Sequence, residues 1–155
     1  AQIQKPVMMV TGSGDFIAPS VPEQIHPFVW LETPQKHLAA MIPASHVSIN
    51  GEVDFADQVD VAPQVSSLLT GPDPELSSRY AQALNVAFMG FYLSDRPGYQ
   101  TFLGAAYAAE FLSEEPVKFR IIDKLTPEQL TGTYGGQPPL PIYPPKLPPA
   151  QSASR

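Results

Sequence analysis

The sequence predicts an α/β protein, and three observations lead to that class. Residues 6–10 form an unbroken apolar run that ends in a glycine-rich turn at residues 11–15, which is typical of a strand buried on both faces. Residues 36–42 form a second strand-like run, apolar from Leu38 to Ile42, which Pro43 stops. Between the two runs, prolines leave room only for a short helix within residues 22–28. A strand, a crossover and a second strand make the βαβ unit of α/β proteins.

The middle of the chain is predicted to be helical. Asp73 is an N-cap followed by a proline and an acid in the first turn, and apolar residues at three- and four-residue steps extend this helix over 73–93. A second helix is expected over 98–113, paired with the first as a helical hairpin because the connection is short. Residues 117–123 are a candidate short strand, and residues 126–129 form a capping box that begins a last helix.

These patterns divide the chain into three regions. Residues 1–66 form the predicted α/β core, and residues 67–134 form a helical extension. Residues 135–155 are proline-rich and low in complexity, so we expect an extended or disordered tail there.

Composition excludes several classes of function. The 155 residues include 9 Lys and Arg against 15 Asp and Glu, for a net charge of −6. Nucleic acid and anionic membrane surfaces are therefore not expected as partners, because both require clustered basic residues. No apolar run reaches the roughly 18 residues of a membrane span, so we expect a soluble chain without a transmembrane segment, whether cytoplasmic, periplasmic or secreted. The absence of cysteine excludes a thiolate nucleophile and Cys-ligated zinc.

Metal ligands are not predicted either. The acidic stretch 52–60 lacks the glycine and glutamate that an EF-hand needs at its sixth and twelfth positions, so a solvated acidic loop is the better interpretation. His26, His37 and His46 show no ligand spacing, since His37 lies within a predicted strand and His26 precedes a proline. We therefore expect no metal and no cofactor.

Two ionisable residues follow the two predicted strands. Asp15 lies in the glycine turn after the first strand, and His46 lies just after the second. Functional groups of open α/β sheets gather beyond the carboxyl ends of the strands, so these side chains could meet. A buried carboxylate beside an imidazole holds the ring in one tautomer and stabilises its protonated form. Taken singly, each residue has an ordinary structural explanation, as a turn former or a surface histidine.

The sequence resembles the C-terminal part of an α/β-hydrolase, most closely the bacterial esterases similar to dienelactone hydrolase and platelet-activating-factor acetylhydrolase. The resemblance is carried by residues 5–15, Pro19, residues 22–24 and residues 43–46, and residues 69–130 resemble the helical C-terminal extension of some of these hydrolases. It implies that residues 1–66 are the last strands of a mainly parallel hydrolase sheet. It also implies that Asp15 is the acid of a catalytic triad and His46 its general base.

The nucleophile that the resemblance requires is not in this sequence. The family carries its serine in Gly-x-Ser-x-Gly, and that motif does not occur here. We therefore expect a serine-type hydrolase of small or lipid-like carboxylic esters that is inactive alone. An N-terminal hydrolase fragment would supply the serine and the oxyanion hole. The alternative function is a non-catalytic interaction subunit that binds through its helical hairpin and proline-rich tail.

One aromatic residue is a candidate for substrate binding. Trp30, with Phe28 and Leu31, lies between the two strand ends in sequence and could line an acyl pocket. Core packing is the more common role for such a cluster.

Overall fold

The computed structural model describes residues 3–50, 70–112 and 115–134. The predicted acidic loop at 52–60 and the proline-rich tail at 135–155 lie outside the described residues.

A three-stranded mixed sheet organises the described chain, in the order β1-β2-β3. β1 (Val7–Gly12) pairs in parallel with β2 (Lys36–Ile42), and β2 pairs antiparallel with β3 (Lys118–Ile122). Gly12 lies opposite Met41 in the parallel pair, so both strands end at the same edge of the sheet. The expected α/β class and the predicted strands are confirmed at this level, and β3 adds an antiparallel neighbour to the parallel pair.

Helical segments lie between and after the strands. They are a π-helical segment Ser20–Ile25, α1 (His26–Val29), α2 (His46–Asn50), α3 (Pro74–Tyr92), a 3₁₀ helix Pro97–Leu103, α4 (Ala105–Phe111) and α5 (Pro127–Tyr134). No helix in the described part of the chain combines the length and the apolar character needed to cross a bilayer.

The two faces of the sheet are covered unequally. Alternate strand residues point to opposite faces, and one face packs into the main core through Met41, Phe119 and Ile121, together with Leu84 of α3. Leu38, on the other face, packs with Phe28 and Leu31 in a smaller cluster. Phe28 and Leu31 therefore pack in a hydrophobic cluster, which is the more common role for such residues.

Local capping signals in the sequence are confirmed. The carboxylate of Asp73 accepts a hydrogen bond from the N–H of Leu76 at 2.8 Å, at the start of α3. Thr126 and Gln129 exchange hydrogen bonds of 2.9 and 3.3 Å, as a capping box requires.

The prediction of one continuous helix over residues 98–113 is wrong. The structure has a 3₁₀ helix up to Leu103 and a separate α4 from Ala105, with Gly104 between them in an extended conformation (φ −85°, ψ 141°). Glycine is unfavourable inside a helix because it loses the most backbone entropy there. The apolar spacing continued through this position, so periodicity alone did not indicate the break.

Candidate active site

The turn after β1 is joined by hydrogen bonds to the chain that follows β2. The N–H of Ser13 donates to the carbonyl of Met41 at 3.0 Å, and the N–H of Gly14 donates to the carbonyl of Ala44 at 2.9 Å. These bonds continue the parallel pairing beyond the strands and fix the turn that carries Asp15 against the segment that precedes His46.

Gly12 is required because the two segments approach so closely. A Cβ atom at this position would lie 2.3 Å from the carbonyl oxygen of Ala44 and 2.9 Å from the Cδ1 of Ile49 in α2. Real Cβ atoms do not approach backbone at such distances, so only glycine lets the end of β1 contact the start of α2.

Two buried serines place His46 at the first position of α2. The hydroxyl of Ser45, at the N-cap, accepts the N–H of Ser48 at 3.2 Å, and the hydroxyl of Ser48 accepts the N–H of Ser45 at 3.0 Å. This reciprocal arrangement is a capping box with serine in the place of glutamate. It holds the helix start in one geometry, and His46 with it.

Asp15 and His46 are in direct contact. The Nδ1 of His46 lies 2.9 Å from the Oδ2 of Asp15, across 31 positions of sequence. The Asp15 side chain is 4% exposed and that of His46 is 35% exposed. The carboxylate of Asp15 is therefore enclosed by protein, while the ring of His46 reaches the surface.

Backbone donors hold the second oxygen of the carboxylate. The Oδ1 of Asp15 accepts the N–H of Ile17 at 3.0 Å and the N–H of Ala18 at 2.8 Å. An ionised carboxylate only accepts hydrogen bonds, so Nδ1 of His46 is the donor in this pair. In the neutral ring the proton then resides on Nδ1, and Nε2 carries the free lone pair.

This arrangement can perform proton transfer at Nε2. The lone pair can take a proton from a hydroxyl group, and the imidazolium that results is stabilised by the adjacent carboxylate. Among the residues that the structure describes, the hydrogen bond of the His46 ring is the one at Nδ1.

The other histidines do not join this pair. His26 begins α1, and His37 lies within β2 with its Nε2 2.9 Å from the Tyr92 hydroxyl. Burial lowers the pKa of His37, and the nearby charge of Asp123 partly opposes that shift. Within the described ranges, no group of three or more His, Cys, Asp or Glu side chains could hold a metal ion.

Trp30 lies at the end of α1, in a partly buried position. Its predicted role in substrate binding stays a prediction.

The residues that position the pair were not predicted from the sequence. Neither α2 nor the capping role of Ser45 and Ser48 was predicted, although a serine after Pro43 is a residue type that favours a helix N-cap. Gly71 was not predicted to contribute either; it adopts φ +73° and lies close to the backbone of Ser45.

No protein-family model, curated protein or solved structure matches this chain.

Proposed function

We propose that this chain supplies the acid and the base of a Ser-His-Asp carboxylic-ester hydrolase. Asp15 is the acid and His46 is the general base. The observation that carries this proposal is the 2.9 Å contact between a nearly buried carboxylate and the Nδ1 of a partly exposed imidazole. The serine nucleophile and the oxyanion hole come from polypeptide outside these 155 residues, because the sequence contains no Gly-x-Ser-x-Gly.

The proton transfers follow from the tautomer of His46. Nε2 takes the serine proton as the serine oxygen bonds to the ester carbonyl carbon and a tetrahedral oxyanion forms. The imidazolium then gives that proton to the leaving alkoxide as the carbon–oxygen bond breaks, which releases the alcohol and leaves an acyl-serine. A water molecule then attacks the acyl-serine, with the same proton transfers through Nε2, and this step releases the carboxylic acid and restores the serine. The adjacent side chain of Asp15 orients His46 and stabilises the imidazolium.

The orientation of the main-chain groups of β1 supports the proposal that a partner polypeptide adds a strand to the sheet. In parallel pairing, main-chain groups point alternately to the two sides of a strand. Val7 donates its N–H to Gln35, so the main-chain groups of Met8 and Val10 point away from β2. No described strand lies on that side, and the side chains of residues 7–10 are only partly buried. A further parallel strand would satisfy these groups, and β1 and β2 would then be the last two parallel strands of a hydrolase sheet.

The decisive test is labelling with a fluorophosphonate, which reacts with activated serines. The tagged chain would be isolated from its source cells under native conditions, labelled, and resolved on a denaturing gel. We expect a labelled serine-bearing polypeptide that is recovered with this chain. His46→Ala should abolish its labelling, while the matched substitution His37→Ala should not, because His37 is hydrogen-bonded to Tyr92 and His46 is the histidine that contacts Asp15.

Two results would oppose the proposal. Labelling that persists in His46→Ala would show that the serine does not depend on His46. The absence of any labelled polypeptide would favour the alternative, a non-catalytic interaction subunit.

A specific observation favours the alternative function of an interaction subunit. A groove of about 440 Å³ runs between α3 and the 3₁₀ helix, and Tyr99, Phe102 and Tyr107 are among its lining residues. Aromatic surfaces of this kind are enriched in protein interfaces.

A further inference from the structure

An apolar cavity of about 390 Å³ is lined by the chain neighbours of Asp15 and by the residue before His46. Its wall is formed by three segments: the turn around Asp15, the residues that precede His46, and the turn that begins α3. The lining residues are Gly14, Phe16, Pro43, Ala44, Ser45, Gly71 and Pro72. We infer that this cavity binds the acyl chain of the ester substrate, an inference that rests on the function proposed above.

The position of the cavity supports this assignment. Gly14 and Phe16 are the two chain neighbours of Asp15, and Ser45 is the residue before His46. A hydrocarbon chain in the cavity therefore lies next to the catalytic pair. The larger groove at Phe102 is built from α3 and residues 97–112, and it shares no lining residue with this cavity.

The lining chemistry selects an uncharged apolar group. Among the described lining residues, the only hydroxyl belongs to Ser45, and it is already engaged by Ser48. None of these described residues carries a cationic side chain, and the nearest charged group along the chain is the Asp15 carboxylate. The Asp15 carboxylate would repel an anionic head group, and no cationic side chain among the described lining residues would attract it. A methylene chain would instead contact proline, alanine and phenylalanine surfaces.

The volume sets the size of the group. A closed cavity of about 150 Å³ accommodates benzene, a molecule of six carbons. The volume of about 390 Å³ found here is more than twice as large, although it is open on one side. Scaling six carbons by the ratio of the two volumes gives at most roughly sixteen carbons, and because the cavity is open to solvent we expect a shorter acyl chain to fill it.

The cavity is held in shape by its own backbone. Gly71 adopts φ +73°, and a Cβ added to it would lie 3.5 Å from the N–H nitrogen of Ser45. The capping box of Ser45 and Ser48 fixes the segment that contributes Ser45 to the lining. A binding site whose walls are already ordered loses little conformational entropy when it takes up a ligand.

The test uses methyl ketones, which resemble the ester but cannot be hydrolysed. Methyl propyl, methyl pentyl and methyl heptyl ketone would be titrated into the ¹⁵N-labelled full chain, with the amides of Gly14 and Gly71 as NMR reporters. We expect shifts at both amides. The dissociation constant should fall by up to about fourfold per methylene, or roughly fifteenfold per step of the series, until the cavity is filled.

A pair of neighbouring substitutions provides the control. Phe16→Ser should weaken binding of the longest ketone, because it removes the aromatic side chain among the described lining residues. Ile17→Ser should not, since Ile17 does not line the cavity. Both side chains are largely exposed, at 68% and 59%, so neither change should unfold the chain, and circular dichroism would check this.

The outcomes separate this inference from the proposed function. Ketone binding needs no serine, so binding at Gly14 and Gly71 without fluorophosphonate labelling would oppose only the hydrolase proposal. Labelling that depends on His46, combined with ketone shifts confined to the Phe102 groove or with no dependence on chain length, would overturn only the acyl-site assignment. Equal weakening by Phe16→Ser and Ile17→Ser would also overturn it.

Discussion

Replacing Asp15 by Asn isolates what the carboxylate does for His46. The two side chains have nearly the same shape, so Asn can keep its oxygen on the N–H groups of Ile17 and Ala18. Its amide group, a donor, then faces His46 in the place of Oδ2. A donor in that position requires Nδ1 to accept, which moves the ring proton to Nε2. The substitution should therefore reverse the tautomer of His46 while it leaves the backbone in place.

The expected loss of stability follows from the hydrogen bonds. Asp15 accepts three, of 2.8, 2.9 and 3.0 Å. Hydrogen bonds to a charged group contribute about 1.5–3 kcal/mol and neutral ones about 0.5–1.5, so the change costs roughly 1 kcal/mol for each bond. The smaller desolvation cost of a buried amide offsets part of that sum. We expect a net destabilisation of about 1–2 kcal/mol, or a fall in Tm of about 2–8 °C for a chain of this size.

Two measurements on the isolated chain test this reasoning. Long-range ¹H–¹⁵N correlation spectra of the imidazole should show Nδ1 protonated in the native chain and Nε2 protonated in Asp15→Asn. Urea unfolding of Asp15→Asn, His46→Gln and the double variant should give a coupling energy of about 1 kcal/mol or more.

The reasoning would be refuted by additivity within about 0.5 kcal/mol, or by an unchanged His46 tautomer in the Asn variant. In the complete hydrolase, the same variant should lose several orders of magnitude in turnover, as the wrong tautomer does in other triads.

Three further changes test contacts at the pair and within β2. Gly12→Ala should cost about 1–3 kcal/mol in urea unfolding, because its Cβ would meet the Ala44 carbonyl at 2.3 Å. Gly98→Ala, with nothing within 4 Å, should change stability by less than about 1 kcal/mol, and equal effects would contradict the steric argument. Ser45→Ala should cost about 1 kcal/mol through the lost N-cap, and an unchanged midpoint would show that the capping box contributes nothing. The folded-state pKa of His37 is lowered, so the unfolded chain binds more protons than the folded chain at acidic pH. The contribution of His37 to stability is therefore complete above pH about 6.5 and declines as pH falls through the folded pKa. Unfolding at pH 7.5 and pH 5 should therefore show a smaller loss in His37→Gln than in the native chain, and equal losses would contradict this assignment.

Several elements of the fold could be predicted because their signals are local. The apolar run that predicted the second strand over residues 36–42 matches β2, and the cap at Asp73 begins α3 as expected. The helix break at Gly104 and the short helix at His46 were missed. Helical periodicity continues through a single glycine, and a helix of five residues is too short to show periodicity at all.

The sequence by itself determined that Asp15 and His46 follow two apolar strands, and parallel strands bring their carboxyl ends to one edge. Only the tertiary structure decided that the two side chains lie 2.9 Å apart, with Nδ1 on Oδ2. That distance depends on the fit of the Gly12 backbone against Ala44 and on the cap that orients α2. These contacts join residues far apart in sequence. Periodicity and spacing report on neighbours along the chain, whereas the packing of the whole chain sets the distance between distant residues.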